Sequence, residues 1–174
     1  MNFISVILLC LIITGIKSNK FQKVIDYAKK QVGSGYCVGT SGQKMTERYL
    51  QYLITRYGKE RVNPDFQREK NMGKIVFDSV GLVVKAFNEV GIKISTSSTW
   101  KGTTWIRKGK IAELGKDKLA ILFKGDGTKM EHIGIYITEG RFIHAKGLND
   151  GVVEESLSSY PWTHFGIPKG LFGS

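Results

Sequence analysis

Residues 76–91, VFDSVGLVVKAFNEVG, decide the fold of this chain. Their apolar side chains recur at the spacing of one buried helical face, which comprises Leu82, Val83, Ala86, Phe87 and Val90. Asp78 occupies the N-cap position of this predicted helix, and Gly91 stands where the helix ends. Ser79 therefore lies at a helix N-terminus, where unpaired N–H groups favour developing negative charge. The position suits a nucleophile or an anion, although a capped core helix with an incidental serine gives the same pattern.

A predicted β-hairpin follows downstream and contains two histidines. Residues 132–137, HIGIYI, alternate so that the isoleucines share one face and His132 lies on the other. Residues 141–145, RFIHA, form the returning strand with His144. A two-residue loop would put the imidazoles on opposite faces. We prefer the three-residue loop 138–140, because Gly140 then takes the position that needs positive φ and both histidines share one face.

Two histidines on one sheet face, opposite a helix N-terminus, can act as a base and the group that orients it. This arrangement matches a catalytic triad, which consists of a nucleophile, its base and a residue that orients the base. Two structural histidines, or half of a metal site, would give the same pattern. The sequence offers no third and fourth metal ligand at a suitable spacing, so we predict no metal and no cofactor.

The remaining segments predict an α+β domain in which helices come first and antiparallel strands second. One amphipathic helix runs from Phe21 to Val32 and ends at Gly33, and another runs to Tyr57 after a Thr46 cap. We predict a loop for residues 59–74, which are charged and have no clear period. Residues 119–124 read as a further strand.

The N-terminal segment Met1–Ser18 contains an uncharged apolar run that is too short for a membrane-spanning helix. It predicts a secretory signal peptide and hence a secreted protein, with an uncleaved anchor as the alternative because the residues before the run lack the usual positive charge. Residues 19–174 then form a single domain. Of the two cysteines only Cys37 lies in this domain, so the domain can form no internal disulfide.

The chain has a formal net charge of +11. Such an excess implies an anionic partner, either nucleic acid, a membrane surface or an acidic cell-wall polymer, or else a merely solvated surface. We find no nucleic-acid-binding motif, and export favours an anionic cell-wall surface. Nothing in the sequence indicates an oligomer interface, so we predict a monomer.

Four blocks together resemble the NlpC-type cell-wall peptidases of the papain-like superfamily. They follow the family's order and are Tyr36-Cys37-Val38-Gly39, residues 77–83, residues 132–137 and residues 142–145. The resemblance extends over roughly residues 21–167. It implies a papain-like α+β domain in which N-terminal helices pack on an antiparallel sheet.

The resemblance also implies roles for individual positions. In that family a cysteine at the position of Ser79 is the nucleophile, the histidine matching His132 is the base, and the one matching His144 orients it. The tyrosine matching Tyr36 lines the site and helps to hold the oxyanion. Most members cleave peptide bonds in the stem peptides of bacterial peptidoglycan, often after D-glutamate, and some relatives cut the amide that joins stem to glycan.

Ser79 is the main departure from the family pattern, because a hydroxyl is far harder to ionise than a thiol. Three interpretations follow: an engineered change that traps an inactive enzyme, a natural loss that leaves a pseudoenzyme, or a working serine variant. Cys37 as a relocated nucleophile is a fourth, but it should point away from the site. An added helix between Gly39 and Asp78 could also reshape the substrate groove, and Val80 replaces the family's common serine.

We therefore expect a secreted peptidoglycan hydrolase of NlpC type that acts on stem peptides, with Ser79 at the cysteine position. The alternative is a non-catalytic, cationic wall-binding or antibacterial protein that uses the same cleft. Acyl transfer to a lipid or small molecule on the same fold is a third hypothesis.

Overall fold

A computed structural model describes residues 20–96, 99–117 and 119–171 of the chain. The predicted signal peptide, Met1–Ser18, lies outside the described residues. Within these ranges, no helix is long and apolar enough to cross a membrane.

The helices occupy mainly the N-terminal half of the described chain. Helix α1 covers residues 20–30, and α2 covers Glu47–Tyr57. Two short helices follow, α3 at Lys59–Val62 and α4 at Pro64–Phe66, and a π-helical turn continues α4 over Gln67–Asn71. The remaining α-helices are α5 at Ser79–Asn88 and α6 at Thr99–Gly102, and single 3₁₀ turns cover Ile111–Glu113 and Leu157–Ser159.

The strands form two sheets. A small sheet has the order β1-β3-β2, with β1 at Gly35–Tyr36, β2 at Ser41–Lys44 and β3 at Ile75–Phe77. The main sheet is antiparallel and has the order β4-β9-β5-β6-β7-β8. In chain order its strands are β4 at Trp105–Lys110, β5 at Ala120–Gly125, β6 at Met130–Thr138, β7 at Arg141–Gly147, β8 at Gly151–Ser156 and β9 at His164–Pro168. Helices followed by an antiparallel sheet confirm the predicted α+β class.

Helix α5 forms the centre of the main core. Its predicted apolar face is buried and packs on β6 and β7, with Leu82, Val83, Ala86 and Phe87 completely shielded from solvent. Asp78 caps the helix by accepting a hydrogen bond from the N–H of Gly81 at 2.6 Å. The predicted cap and the buried face from Leu82 to Phe87 are therefore confirmed. The helix ends at Asn88, earlier than predicted, and Val90 lies beyond it and is only partly buried.

A second, smaller core lies under α2 and contains Cys37, Met45, Leu50, Leu53, Val62 and Val76. Thr46 caps α2 by accepting from the N–H of Tyr49, as the sequence predicts, and the helix ends before Gly58. The added helix between Gly39 and Asp78 is thus present and has its own apolar support.

The predicted loop over residues 59–74 is wrong. The segment is mostly helical, but Asn63 adopts a left-handed conformation and the π-turn follows, so no single helical period runs through it. Gln67 and Asn71 are buried, and each side-chain amide donates to the carbonyl oxygen of Tyr36. Because these buried contacts are made by polar residues, the apolar periodicity that signals a helix is missing.

The predicted end of the first helix also needs correction. Helix α1 stops at residue 30, and Val32, expected on its buried face, is 44% exposed. The segment after Gly33 contains β1, which pairs in parallel with β3. The stretch around Trp105, which the sequence left unassigned, forms the edge strand β4.

Candidate active site

The β6–β7 hairpin aligns the two histidines as predicted, but through a different turn. Ile135 pairs with Ile143, which is the register that places His144 beside Gly134. The loop itself has two residues, not three, because Thr138 pairs with Arg141. A bulge before Thr138, which has a φ of 111°, shifts the pairing by one residue and restores the predicted register.

The two imidazoles are hydrogen-bonded to each other. The distance from Nε2 of His132 to Nδ1 of His144 is 2.8 Å. Gly134 leaves the space they need, since a Cβ at this position would lie 3.2 Å from Cβ of His144 and 2.9 Å from the Trp162 ring. The structure therefore brings together the two histidines that the sequence proposed as base and orienting partner.

His144 also contacts a carboxylate that the sequence analysis missed. Its Nε2 lies 2.8 Å from Oε2 of Glu155, and the imidazole is fully buried. Glu155 lies on β8 two residues beyond Val153, which pairs with His144, so both side chains are on one face of the sheet. Only the β7–β8 register reveals this contact, and the sequence analysis did not assign β8.

Aromatic rings enclose the histidine pair. Trp162 stacks on His132 with ring centroids 5.6 Å apart, and Tyr160 lies 5.2 Å from the same ring. Burial, together with the nearby His144 and Lys124, lowers the pKa of His132 to about 4. Burial also lowers the pKa of His144, although Glu155 opposes this shift. Both imidazoles are consequently neutral at pH 7, and a neutral imidazole has one nitrogen free to accept a proton.

Ser79 and His132 line the same cavity. Ser79 is the first residue of α5 and is half-buried. The cavity measures about 460 Å³, and its other walls include Trp100, Lys101 and Lys129. The structure therefore places the predicted nucleophile position and the predicted base at one cleft, with His144 behind the base.

Asp78 fixes the N-terminus of α5 in this cleft. One carboxylate oxygen accepts from the N–H of Gly81, and the other accepts from the N–H of Gly39 at 2.8 Å. Burial raises the pKa of Asp78, and the backbone N–H groups counteract that shift. Ser79 thus sits on a helix end that is tied to the segment after β1.

Tyr36 lies one strand away from this helix end. It pairs with Phe77 in the parallel β1–β3 ladder, and its pKa is raised by burial and by the charge of Asp78. The described residues that line the cavity do not include Tyr36. Its expected contribution to an oxyanion site stays a prediction.

Cys37 belongs to the second core and not to the cavity wall. The side chain is only 1% exposed, and burial together with Asp78 raises the pKa of its thiol to about 11. Its carbonyl oxygen accepts a hydrogen bond from the hydroxyl of Thr40. A thiol in this state is poorly ionised and inaccessible, which argues against Cys37 as a nucleophile.

The model of the NlpC/P60 family matches residues 56–167, which is more than half of the chain. The chain belongs to the NlpC/P60 family. A curated relative, the probable endopeptidase p60 of Listeria grayi, is 29% identical over 98 residues, which are 56% of this chain. This NlpC/P60 chain spans only about a fifth of that relative's length, since the match covers 18% of it.

Solved structures with the same fold include the NlpC/p60 domain of the peptidoglycan hydrolase SagA and the peptidoglycan hydrolase RipB from Mycobacterium tuberculosis. The SagA domain superposes with a TM-score of 0.55 at 19% identity, covering 84% of this chain and 97% of that one. RipB gives a TM-score of 0.60 at 21% identity, covering 88% of this chain and 66% of that one. These similarities show a shared NlpC/P60 fold.

The NlpC/P60 site in this chain has the parts for acyl transfer except for a readily ionised nucleophile. His132 has a hydrogen-bonded partner, and residue 79 lies where backbone N–H groups and the helix dipole stabilise negative charge. The group at residue 79 is a hydroxyl, which is difficult to deprotonate with a base whose pKa is near 4. Among the described residues, no cluster of His, Cys, Asp or Glu side chains is arranged to hold a metal ion.

Proposed function

We propose that this chain is a secreted NlpC-type domain that binds stem peptides of bacterial peptidoglycan in the cleft between α5 and β6. Its chemistry is amide hydrolysis, and Ser79 limits the rate of that reaction. The observation that supports this proposal is the placement of residue 79 and His132 on one cavity, with His132 hydrogen-bonded to His144.

The proposed reaction is clearest for a cysteine at position 79. The thiolate attacks the carbonyl carbon of the amide, and His132 takes the thiol proton and delivers it to the leaving amine. Water then hydrolyses the thioester and restores the thiol. Backbone N–H groups at the start of α5 stabilise the oxyanion, and Tyr36 is the predicted second donor. Ser79 follows the same route slowly, because its hydroxyl is rarely ionised.

The composition of the cleft supports a peptide substrate that has free carboxylates. Lys101 and Lys129 line the cavity, against one acidic side chain, Glu131. Trp100 adds an apolar wall. Stem peptides offer both features, since they combine short apolar side chains with carboxylate groups. The net charge of +11 suits an anionic wall surface in addition.

The alternative is a non-catalytic wall-binding or antibacterial protein that uses the same cleft. Ser79 itself is the observation that favours it, because a hydroxyl in a site suited to a thiol retains binding and loses most turnover. The two functions share a ligand and differ in whether a bond is broken.

The deciding experiment compares the unmodified chain with the Ser79→Cys variant on purified peptidoglycan. We expect both proteins to bind the wall, and the cysteine variant to release stem fragments and create new amino termini. The matched controls are Ser79→Ala and the double variant Ser79→Cys/His132→Ala, which should bind without cleaving.

Each outcome separates the two functions. If Ser79→Cys binds the wall but releases nothing, the hydrolase proposal is wrong and the binding alternative stands. If none of the proteins binds peptidoglycan, both proposals fail. Appreciable cleavage by the unmodified chain would show that Ser79 is a working nucleophile and that it does not limit the rate.

A further inference from the structure

Glu155 stands at one end of a row of hydrogen bonds whose other end lies at the cavity. Its Oε2 is bonded to Nε2 of His144, and Nδ1 of His144 is bonded to Nε2 of His132. The other carboxylate oxygen, Oε1, accepts from Nζ of Lys146 at 2.9 Å. His132 alone of these four residues lines the cavity.

An ionised carboxylate dictates which nitrogen of each imidazole carries the proton. Glu155 can only accept, so Nε2 of His144 must be its donor. In a neutral His144, Nδ1 is then an acceptor, which requires Nε2 of His132 to donate. A neutral His132 is left with its lone pair on Nδ1. The basic nitrogen of His132 is therefore Nδ1, which takes no part in the hydrogen bonds between Glu155, His144 and His132.

Lys146 helps to keep the carboxylate of Glu155 ionised. Partial burial raises the pKa of Glu155, but hydrogen bonds from Lys146 and His144 outweigh it and hold the pKa below its ordinary value. The Glu155 side chain is only 22% exposed, so it is positioned by these contacts. Since His144 is fully buried, water does not compete for its Nε2.

We infer that Glu155 is a positioning residue that selects the tautomers of His144 and His132, so that His132 offers a basic Nδ1 to the group at position 79. No proton reaches Glu155 during the reaction. The proton of residue 79 moves to Nδ1 of His132, which becomes an imidazolium, and Nε2 keeps its own proton and its bond to His144. The effect on turnover rests on the proposed hydrolase function, whereas the tautomers do not.

The opposite tautomers would disable the base. If His144 carried its proton on Nδ1, that group would donate to Nε2 of His132 and force the proton of His132 onto Nδ1. The cavity would then face an N–H donor in place of an acceptor. Glu155→Gln permits this arrangement, because the side-chain amide can donate to Nε2 of His144.

Side-chain ¹⁵N NMR at neutral pH tests the inference without any need for turnover. In the unmodified chain we expect both His132 and His144 to be neutral and protonated on Nε2. In Glu155→Gln we expect part or all of the population to move to the Nδ1–H form. The matched control is Glu154→Gln, the adjacent residue on the other face of β8, which pairs with Arg141 and not with a histidine.

Kinetics in the Ser79→Cys background give a second readout. Glu155→Gln should lower kcat by about 10-fold or more, by analogy with the loss of the carboxylate from a Ser-His-Asp triad. It should also move the acidic limb of the pH profile to lower pH, because loss of the negative charge destabilises the imidazolium of His132 and so lowers its pKa. Glu155→Asp should recover part of the rate, and Glu154→Gln should change neither quantity.

The outcomes of the two measurements are distinguishable. If the unmodified chain shows an Nδ1–H tautomer at either histidine, the inference is overturned, and this result does not depend on whether any variant folds. The same holds if Glu155→Gln leaves the tautomers and the pH profile unchanged. If Ser79→Cys releases no stem fragments at all, the proposed function fails while the tautomer measurement still decides the role of Glu155.

Discussion

Cys37 and Ser79 form a natural comparison between two neighbouring regions of this molecule. Cys37 has the reactive atom, but it is buried in the second core and its pKa is raised to about 11. Ser79 lacks that atom, but it occupies a helix N-terminus on the cavity that also contains His132. Nucleophilic catalysis by a thiol needs both a sulfur atom and an accessible position beside a base. In this chain Cys37 has the sulfur atom and Ser79 has the position.

The two regions are held together through the segment after β1. The N–H of Gly39 donates to the carboxylate of Asp78. Thr40 is hydrogen-bonded to both regions: its hydroxyl donates to the carbonyl of Cys37, and its own carbonyl accepts from the N–H of Asp78. Their different chemistry therefore comes from side-chain direction and burial, since the backbone of one region is bonded directly to the other.

Thiol reactivity should show the largest difference between the two positions. A cysteine placed by Ser79→Cys should react with a disulfide reagent at pH 7 on the order of 10³-fold faster than Cys37, because the helix N-terminus and an exposed cleft favour the thiolate. Stopped-flow absorbance measures both rates in one protein, and Ser79→Cys/Cys37→Ala assigns the fast phase. Equal rates for the two thiols would contradict the comparison.

A Cβ at Gly81 should force the two regions apart. It would lie 2.0 Å from the carbonyl oxygen of Thr40, a backbone atom that cannot move freely. We expect Gly81→Ala to lower the free energy of unfolding by about 3 kcal/mol or more, measured by urea denaturation. Asn88→Ala, at an exposed position of the same helix, should have little effect. Similar losses for both variants would show that the close approach is unimportant.

The histidine pair should make the fold sensitive to acid. The pKa of His132 is about 4 in the folded chain and 6.5 as its ordinary value, so the unfolded chain binds more protons between these limits. The free energy of unfolding is then highest above pH 6.5 and falls by about 2–3 kcal/mol as the pH drops toward 4. Urea titrations at several pH values measure this loss.

The matched variants for this pH dependence are His132→Gln and His164→Gln. The first should flatten the dependence, and the second, which removes a histidine outside the pair, should leave it in place. A dependence that persists unchanged in His132→Gln would assign the acid sensitivity to other groups.

Cys37→Ala should have the smallest effect. Removing one buried sulfur leaves a small cavity in the second core, so we expect a loss of about 1 kcal/mol in unfolding free energy. Hydrolysis by the Ser79→Cys form should not change when Cys37 is also replaced. A large loss of hydrolysis without a loss of stability would give Cys37 a role in the cleft.

The parts of the molecule that could be predicted from sequence have strong local signals. Helix α5 has a 3.6-residue apolar period with a cap, and strand β6 alternates strictly, so each was assigned from its own residues. The register that joins His132 to His144 was also predicted, although the bulge at Thr138 was not. A bulge depends on backbone angles that side-chain patterns report only weakly.

The remaining parts depend on partners that are distant in sequence. Gln67 and Asn71 are buried through bonds to Tyr36, more than thirty residues earlier. Glu155 and Trp162 reach the histidines only through the order of strands in the sheet. Such contacts have no local period, so the residue pattern of a single segment does not reveal them.

The double hydrogen bond of Asp78 has an evolutionary consequence. The carboxylate that joins Gly39 to the start of α5 does so without help from the side chain of residue 79. That side chain can therefore change without loss of these two hydrogen bonds. Cysteine and serine codons differ by a single nucleotide, so one point mutation can exchange a hydroxyl for a thiol at this position while the carboxylate link around it is inherited unchanged.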